Sequence, residues 1–226
     1  MKLSRRKFLK IGLAAVTLPP LVGTGYGAWE ARSLRVDRRQ IVLARLPRAL
    51  AGMKVALVTD IHHGPLLSLE RVRGMVELVN SLKPDLICLG GDYVEVGRQY
   101  MRPCIAELGK LSAPMGVYGV LGNHDHWEDP DLASQLFREV RIKELTNSRV
   151  ALVRDGSRIW LCGVDDLWSG KPDVHAACDG IPDNELCIVL SHNPDLAEHL
   201  DGVRVDLLLS GTRMGAKSTC RWSARP

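Results

Sequence analysis

Seven polar side chains, each at the end of an apolar run, form the chemistry-bearing part of this sequence. They are Asp60 and His62 in MKVALVTDIHHG, Asp92 in DLICLGGDYV, Asn123, His124 and Asp125 in GVYGVLGNHDHW, and His192 in ELCIVLSHNPD. Taken singly they say little: an Asp before Ile-His is ordinarily a turn or cap residue, Gly-Asp is ordinary turn chemistry, and His192 reads equally as a hydrogen-bonded histidine at a strand end. GNHD says more, because three polar side chains in a row after Val120 and Leu121 are costly to bury without a purpose. Together, a carboxylate able to bridge, a neutral amide oxygen and imidazoles make an oxygen and nitrogen donor set that suits a pair of divalent transition metals better than calcium or magnesium. Two such cations about 3.5–4 Å apart clamp a phosphate, offset the charge on its oxygens and acidify water for in-line attack on phosphorus.

Each of the four apolar runs has strand character and breaks into a small polar loop. Side chains just past the carboxyl ends of several strands converge on one crevice in open α/β sheets. Between the runs, Leu69–Leu82 is apolar at helical spacing with Arg71, Arg73 and Glu77 outside, and it ends before Lys83-Pro84. Asp131–Val140 reads as a second helix with Asp129 and Pro130 as its start signal. Val150–Val164 reads as a hairpin turned at Asp155-Gly156. Residues Glu30–Gly52 read as a leading strand and linker. Asp165 and Asp166, following the hairpin, either position substrate or are solvated loop carboxylates. His63 and His126 flank the candidate ligands and either line the substrate mouth or sit in solvated loops. His175 and His199 read as surface residues.

The order DxH, GDxx, GNHD and a lone His, running from about Arg48 to Gly211, resembles the calcineurin-like metallophosphoesterase superfamily. That resemblance implies an α/β fold: a four-layer α/β/β/α sandwich of two mixed β-sheets flanked by helices. It implies two divalent metal ions, manganese, zinc or iron, with Asp60 and His62 on the first, Asp92 bridging, and Asn123 and His192 on the second. It also implies that His124 protonates the leaving group while Asp125 orients its imidazole. The expected reaction is hydrolysis of phosphodiester or pyrophosphate bonds in a phosphorylated small molecule or envelope lipid.

The pattern departs from the family after Val205–Gly211. VDLLLSG leads in the family into GHTHGGQ, but Gly211 is followed here by TRMGAKSTCRWSARP, and no histidine follows His199. Deleting one C from the first two codons of a stretch encoding GHTHGGQVNLPLVGAP reproduces GTRMGAKSTCRWSAR with Pro226 fitting the remaining bases. The expectation is a metallophosphoesterase domain over 51–211, C-terminally truncated, with an aberrant tail over 212–226 made by a frameshift or, alternatively, an authentic divergent terminus. Each metal then loses one imidazole. The second reading of function is accordingly a non-catalytic truncated product, or a metal- or phosphate-binding module at the membrane surface.

The amino terminus points to a destination. Ser4-Arg5-Arg6-Lys7-Phe8-Leu9-Lys10 precedes an apolar stretch from Ile11 to Ala28, the layout of a twin-arginine (Tat) export signal. Residues 1–30 are thus expected to engage the Tat machinery as a cleaved signal or a retained membrane anchor, with residues 31–50 leading into a periplasmic or outer-face domain. The formal net charge of +4 includes this basic leader and the tail, and aromatic residues make up 5% of the chain, so a nucleic-acid partner is not expected. The six cysteines contain no CxxC pair; Cys88, Cys162 and Cys187 lie in apolar runs and read as buried thiols rather than a disulfide framework.

Overall fold

The structure, a computed structural model, describes residues 34–200 and 202–211. The chain divides into two units between Ile41 and Val42. In the first unit the described residues form no helix or strand, and Arg39 pairs with Asp37 at 2.8 Å. Among the described residues the expected leading strand is absent: residues 34–47 carry no strand, and a single 3₁₀ turn spans Arg48–Leu50. Val42, 88% exposed, shows why, since its apolar run has no sheet to bury against. The twin-arginine segment lies outside the described residues, as do residues 212–226. No helix among the described residues is long and apolar enough to cross a membrane.

The second unit is an α/β fold with two sheets flanked by helices. Its first sheet has β1 (Val55–Val58), β2 (Leu86–Leu89), β3 (Val117–Gly119) and β4 (Lys143–Glu144) in that order. It is parallel throughout, not mixed as the resemblance implied. The reason is in the connections: each successive pair is joined by a crossover containing a helix, and only a crossover can return the chain parallel to itself. Those helices are α1 (Leu69–Ser81), α2 (Met101–Leu108), and the pair α3 (Asn123–Glu128) and α4 (Pro130–Glu139).

Amphipathic spacing explains how they pack. Val72, Val76 and Val79 recur on one face of α1, and Ala133, Leu136 and Phe137 on one face of α4; all join the core cluster with Ile87, Leu89 and Tyr93. Fully burying such a side chain stabilises the fold by about 1.5–3 kcal/mol. The helix read over Leu69–Leu82 forms with Leu82 as its C-cap, and α4 starts at Pro130, where the Asp129 carboxylate accepts the Leu132 N–H at 2.9 Å.

The second sheet is mixed. β5 (Ser148–Arg154) and β6 (Ser157–Gly163) form the antiparallel hairpin, and β7 (Leu186–Ser191) and β8 (Leu207–Ser210) extend it in parallel. Asp155 and Gly156 turn the hairpin at φ 50° and 75°, the left-handed pair a two-residue turn of this twist requires. A short helix, α5 (Val174–Cys178), packs on β5 and β6. Every residue of β2, β7 and β8 is buried, as expected of strands covered on both faces.

Candidate metal centre

The hydrogen-bond ladder between β1 and β2 does not stop where the strands do. Past their carboxyl ends, Asp60 N–H donates to Gly91 O at 3.0 Å, His62 N–H to Asp92 O at 3.0 Å and His63 N–H to Tyr93 O at 2.9 Å. The two loops are therefore zipped together along the residues expected to bind metal. Asp60, His62 and Asp92 all hold left-handed backbone, with φ of 56°, 50° and 56°. Such conformations cost non-glycine residues on the order of 1–3 kcal/mol each and concentrate at functional sites. Gly91 answers a steric demand, because a Cβ there would stand 2.5 Å from Gly122 N, where the GGD and GNHD loops touch.

These loops bring five of the predicted side chains to one place. One ligand atom each from Asp60, Asp92 and His192 lie within 4.8 Å of one another. Asp92 Oδ2 stands between two imidazoles, 3.5 Å from His62 Nε2 and 3.3 Å from His192 Nε2. His62 Nε2 is also 4.0 Å from Asp60 Oδ1, and His192 Nε2 is 3.2 Å from Asn123 Oδ1. Asn123 and Asp92 are 0% and 3% exposed. Asp92 is thus central, within 3.5 Å of both imidazoles, and Asp60 lies near both as well, 4.0 Å from His62 Nε2 and grouped within 4.8 Å with His192.

The donor chemistry fits bound cations. His192 Nδ1 faces the Gly90 carbonyl at 2.8 Å and donates its proton there, an outer contact typical of metal-binding histidines. Its Nε2 lone pair then points at Asp92 Oδ2 and Asn123 Oδ1, two acceptors. Such a convergence is stable only around a positive charge, either a cation or a proton on the ring itself. Without a cation the proton takes that place: burial opposes a charged His192, but the Asp92 carboxylate more than compensates and raises it to about 9. Asp92 itself is disfavoured as an anion by burial, yet the His192 hydrogen bond and charge bring it below the usual carboxylate range. Asn123 Nδ2 is buried without a hydrogen-bond partner, a donor that only an acceptor on a bound ligand would satisfy, while its Oδ1 is the atom able to hold a cation.

The GNHD segment is not a plain loop. It opens α3, with Gly122 as N-cap. Asp125 does not orient the His124 ring as the resemblance implied. Its carboxylate is buried and accepts three backbone N–H groups, from Asp92 at 2.8 Å, Gly122 at 2.9 Å and Tyr93 at 3.0 Å. Burial pushes it up to about 7 against the pull of those donors. His124 Nδ1 instead meets the Glu95 carbonyl oxygen at 2.6 Å. Glu95 is the residue sequence reasoning missed. Its carboxylate lies 2.7 Å from His62 Nδ1, though off the line of a hydrogen bond, and it groups with His62 and His124 as a second set of possible ligands. Its position three residues after Asp92 was the available signal.

The remaining candidates are architectural. His63 is buried, with Nδ1 2.7 Å from Leu67 O and its ring edge-on to Tyr100. His126 Nε2 pairs with Asp165 Oδ1 at 2.8 Å, which joins α3 to the loop after β6. Asp165 and Asp166 are neither solvated nor open to substrate. Both are buried and fold their own loop, Asp165 accepting from Lys171 N at 2.8 Å and Asp166 from Ser169 N at 2.7 Å. His175 and His199 are exposed, as read. The rim carries Trp127, 60% exposed, whose ring lies 4.8 Å from that of His124.

The last described residue also reaches the centre. Gly211 N–H donates to His192 O at 2.9 Å, and a Cβ on Gly211 would come 2.9 Å from Asp60 Oδ2.

An α/β unit of two sheets with carboxylate, amide and imidazole groups gathered at the carboxyl ends of its strands defines a metal-dependent hydrolase class. The calcineurin-like phosphoesterase family model matches residues 53–211, so the chain belongs to that family. It is 31% identical over 224 residues to the uncharacterized metallophosphoesterase YkuE of Bacillus subtilis, covering 96% of this chain and 78% of that one. It is 28% identical over 220 residues to the phosphodiesterase YaeI of Escherichia coli, covering 95% of this chain and 79% of that one. A transmembrane protein with metallophosphoesterase domain from Danio rerio is 31% identical over 185 residues, 76% of this chain but 42% of its own length. Among solved structures, the 5′-nucleotidase precursor of Thermus thermophilus is similar over 70% of this chain and 41% of that one, with a TM-score of 0.48 and 14% identity.

Proposed function

We propose that this chain is a phosphoesterase that hydrolyses phosphodiester or pyrophosphate bonds with two divalent cations, manganese, zinc or iron, held by its own side chains. The observation that carries this reading is the position of Asp92 Oδ2 between His62 Nε2 and His192 Nε2, 3.5 and 3.3 Å away. Asp60 and His62 would hold one cation, Asn123 and His192 the other, and Asp92 both. When bound, the pair supplies positive charge to the phosphoryl oxygens and acidifies the attacking water. The name of the Escherichia coli relative, a phosphodiesterase, agrees with the bond type.

The chain's own residues do the rest. Glu95 O fixes the His124 ring through Nδ1, so the proton that moves to the leaving oxygen is the one on Nε2. Asp125 holds Asp92 and Tyr93 by their backbones and so keeps the loop aligned. Trp127, packed against His124 and open to solvent, offers a surface for an apolar leaving group. The twin-arginine layout at Arg5-Arg6 supports export of the chain, and envelope phosphoesters would then be its substrates.

A second reading is favoured by one observation. Gly211 N–H reaches His192 O beside the centre, and residues 212–226 include no histidine; on this reading the described donors bind cations or phosphate without turnover. The test is hydrolysis of bis(p-nitrophenyl) phosphate by the full chain with Mn(II), alongside Asp92→Asn. Turnover that disappears in Asp92→Asn supports the enzyme. Manganese uptake without turnover supports the binding module, and turnover unchanged in Asp92→Asn overturns the bridging role.

A further inference from the structure

Three buried cysteines gather on the second sheet and take no part in the centre described above. Cys162 lies in β6 and Cys187 in β7. Their register sets Cys162 opposite Val189 and Cys187 opposite Trp160, which makes them diagonal neighbours on one face. Their sulfurs are 3.8 Å apart. Helix α5 packs against β6 and contributes its final residue, Cys178. One sulfur from each of the three lies within 4.8 Å of the others, and all three residues are buried. Around them pack Val164, Val174, Ala177, Val189 and Leu196.

The spacing has a chemical meaning. A disulfide requires sulfurs about 2.05 Å apart, and these cysteines are free. Three thiolates at the usual zinc–sulfur length of about 2.3 Å stand about 3.8 Å apart in a tetrahedral shell whose fourth position is left to water, and about 4.0 Å apart in a trigonal one. The Cys162–Cys187 separation of 3.8 Å already matches that spacing, and the Cys178 sulfur lies within 4.8 Å of both, so side-chain adjustment without strand movement suffices. The donor set is purely sulfur, which selects soft ions and rejects magnesium, calcium and manganese. Charge also balances. Three thiolates around a divalent ion leave a charge of minus one, and the Arg149 guanidinium, whose Nη1 donates to Ala177 O at 3.2 Å, sits beside Cys178 with the compensating charge.

We infer that Cys162, Cys178 and Cys187 form a site for one thiophilic divalent cation of the zinc and cadmium class, separate from the carboxylate and imidazole centre. Three S–H bonds break and three metal–sulfur bonds form. The three protons leave to solvent, and no atom changes oxidation state. Cys178 is the last residue of the five-residue α5, which places the site at the end of that helix. Once bound, the metal ties α5 to β6 and β7.

The test titrates the full chain, reduced and anaerobic, with Cd(II). Carboxylates and imidazoles bind cadmium without a sulfur-to-metal absorption, so the ultraviolet thiolate band reports cysteine ligation alone. The expected result is a band that saturates at one equivalent per chain. It should weaken in Cys178→Ala by more than the roughly 10–100-fold that loss of an outer-shell partner costs, and stay unchanged in Cys88→Ala, Cys104→Ala and Cys220→Ala. A second measurement needs no variant: X-ray absorption of the natural chain, preloaded with Mn(II) and then given one equivalent of cadmium, should count three sulfurs. Two or fewer sulfurs, a band that survives Cys178→Ala, or a mass spectrum showing Cys162 and Cys187 joined as a disulfide overturns the site.

Discussion

Asp125 Oδ2 accepts the backbone N–H of Asp92 at 2.8 Å, so a carboxylate with no exposure fixes the backbone of the one that stands between two imidazoles. Its other oxygen holds Tyr93 N–H at 3.0 Å. Replacing Asp125 with Ala leaves three buried N–H groups unpaired, at about 1–3 kcal/mol each before relaxation. The expected outcome is a lower urea midpoint together with manganese affinity weakened roughly 10–100-fold. Urea unfolding followed by circular dichroism and calorimetric titration with Mn(II) check the two halves separately. Asp125→Asn, which retains one acceptor oxygen, should fall between.

On the proposed reading His124 protonates the leaving group; its ring is held by the Glu95 carbonyl and is not among the groups around Asp92 Oδ2. His124→Ala should therefore lower kcat/KM by about 10²–10⁴ for alkyl phosphodiesters and far less for aryl ones, whose leaving oxygen needs little protonation. Paired alkyl and aryl substrates in Mn(II) measure the ratio. Equal losses on both would remove the acid role and leave His124 as a binding residue.

The Tyr93 hydroxyl is buried where no substrate reaches it. It donates to Val120 O at 2.6 Å and accepts Gly91 N–H at 3.3 Å, binding the GGD loop to the run that precedes GNHD. Tyr93→Phe removes one oxygen atom but strands two polar partners, so a loss of about 1–3 kcal/mol is expected in chemical unfolding. A variant as stable as the natural chain would show that the hydroxyl does not hold the loops, leaving Asp125 and the His124 N–H bond to Asp92 Oδ1 to do so.

Glu185 gives the pH dependence a definite sign. Arg158 grips it through Nε and Nη2 at 3.0 and 2.7 Å, and Trp160 Nε1 donates at 2.5 Å, which together hold the carboxyl below its ordinary value of 4.5. Because the folded value is the lower one, the unfolded chain binds more protons as pH falls. The stabilisation is therefore full above about 4.5 and disappears as pH drops through the folded value. Melting temperatures of the natural chain and Glu185→Gln should differ at neutral pH and converge in acid. A gap that widens in acid would reverse the assignment.

The elements that place the site were largely legible in the sequence, because each announces itself locally. Val72, Val76 and Val79 keep helical spacing, Asp155-Gly156 spells the hairpin turn, and Asp129-Pro130 starts α4. What stayed hidden depends on burial and on backbone atoms. A carboxylate beside a histidine reads as its partner until the fold buries Asp125 among amide groups. Glu95 holds His124 by a carbonyl oxygen that any residue carries. Asp165 and Asp166 look like open loop carboxylates, and only the loop's closure around Lys171 and Ser169 shows them to be internal. The parallel order of the first sheet is likewise a property of its crossovers and not of any strand's composition.

Four of the five gathered side chains, Asp60, His62, Asp92 and Asn123, come from the first sheet and its loops, and only His192 comes from the second. Its bond to Gly90 O closes a separation of 102 residues. A contact that distant must overcome the entropy of closing a long loop before it contributes, so it is expected late in folding. The first half of the chain can thus assemble most of the donors while the second is still unstructured, and the last imidazole arrives with the docking of β7. Tight cation uptake during refolding should accordingly lag behind the burial of Tyr93, which makes the metal a clock for the final step of assembly.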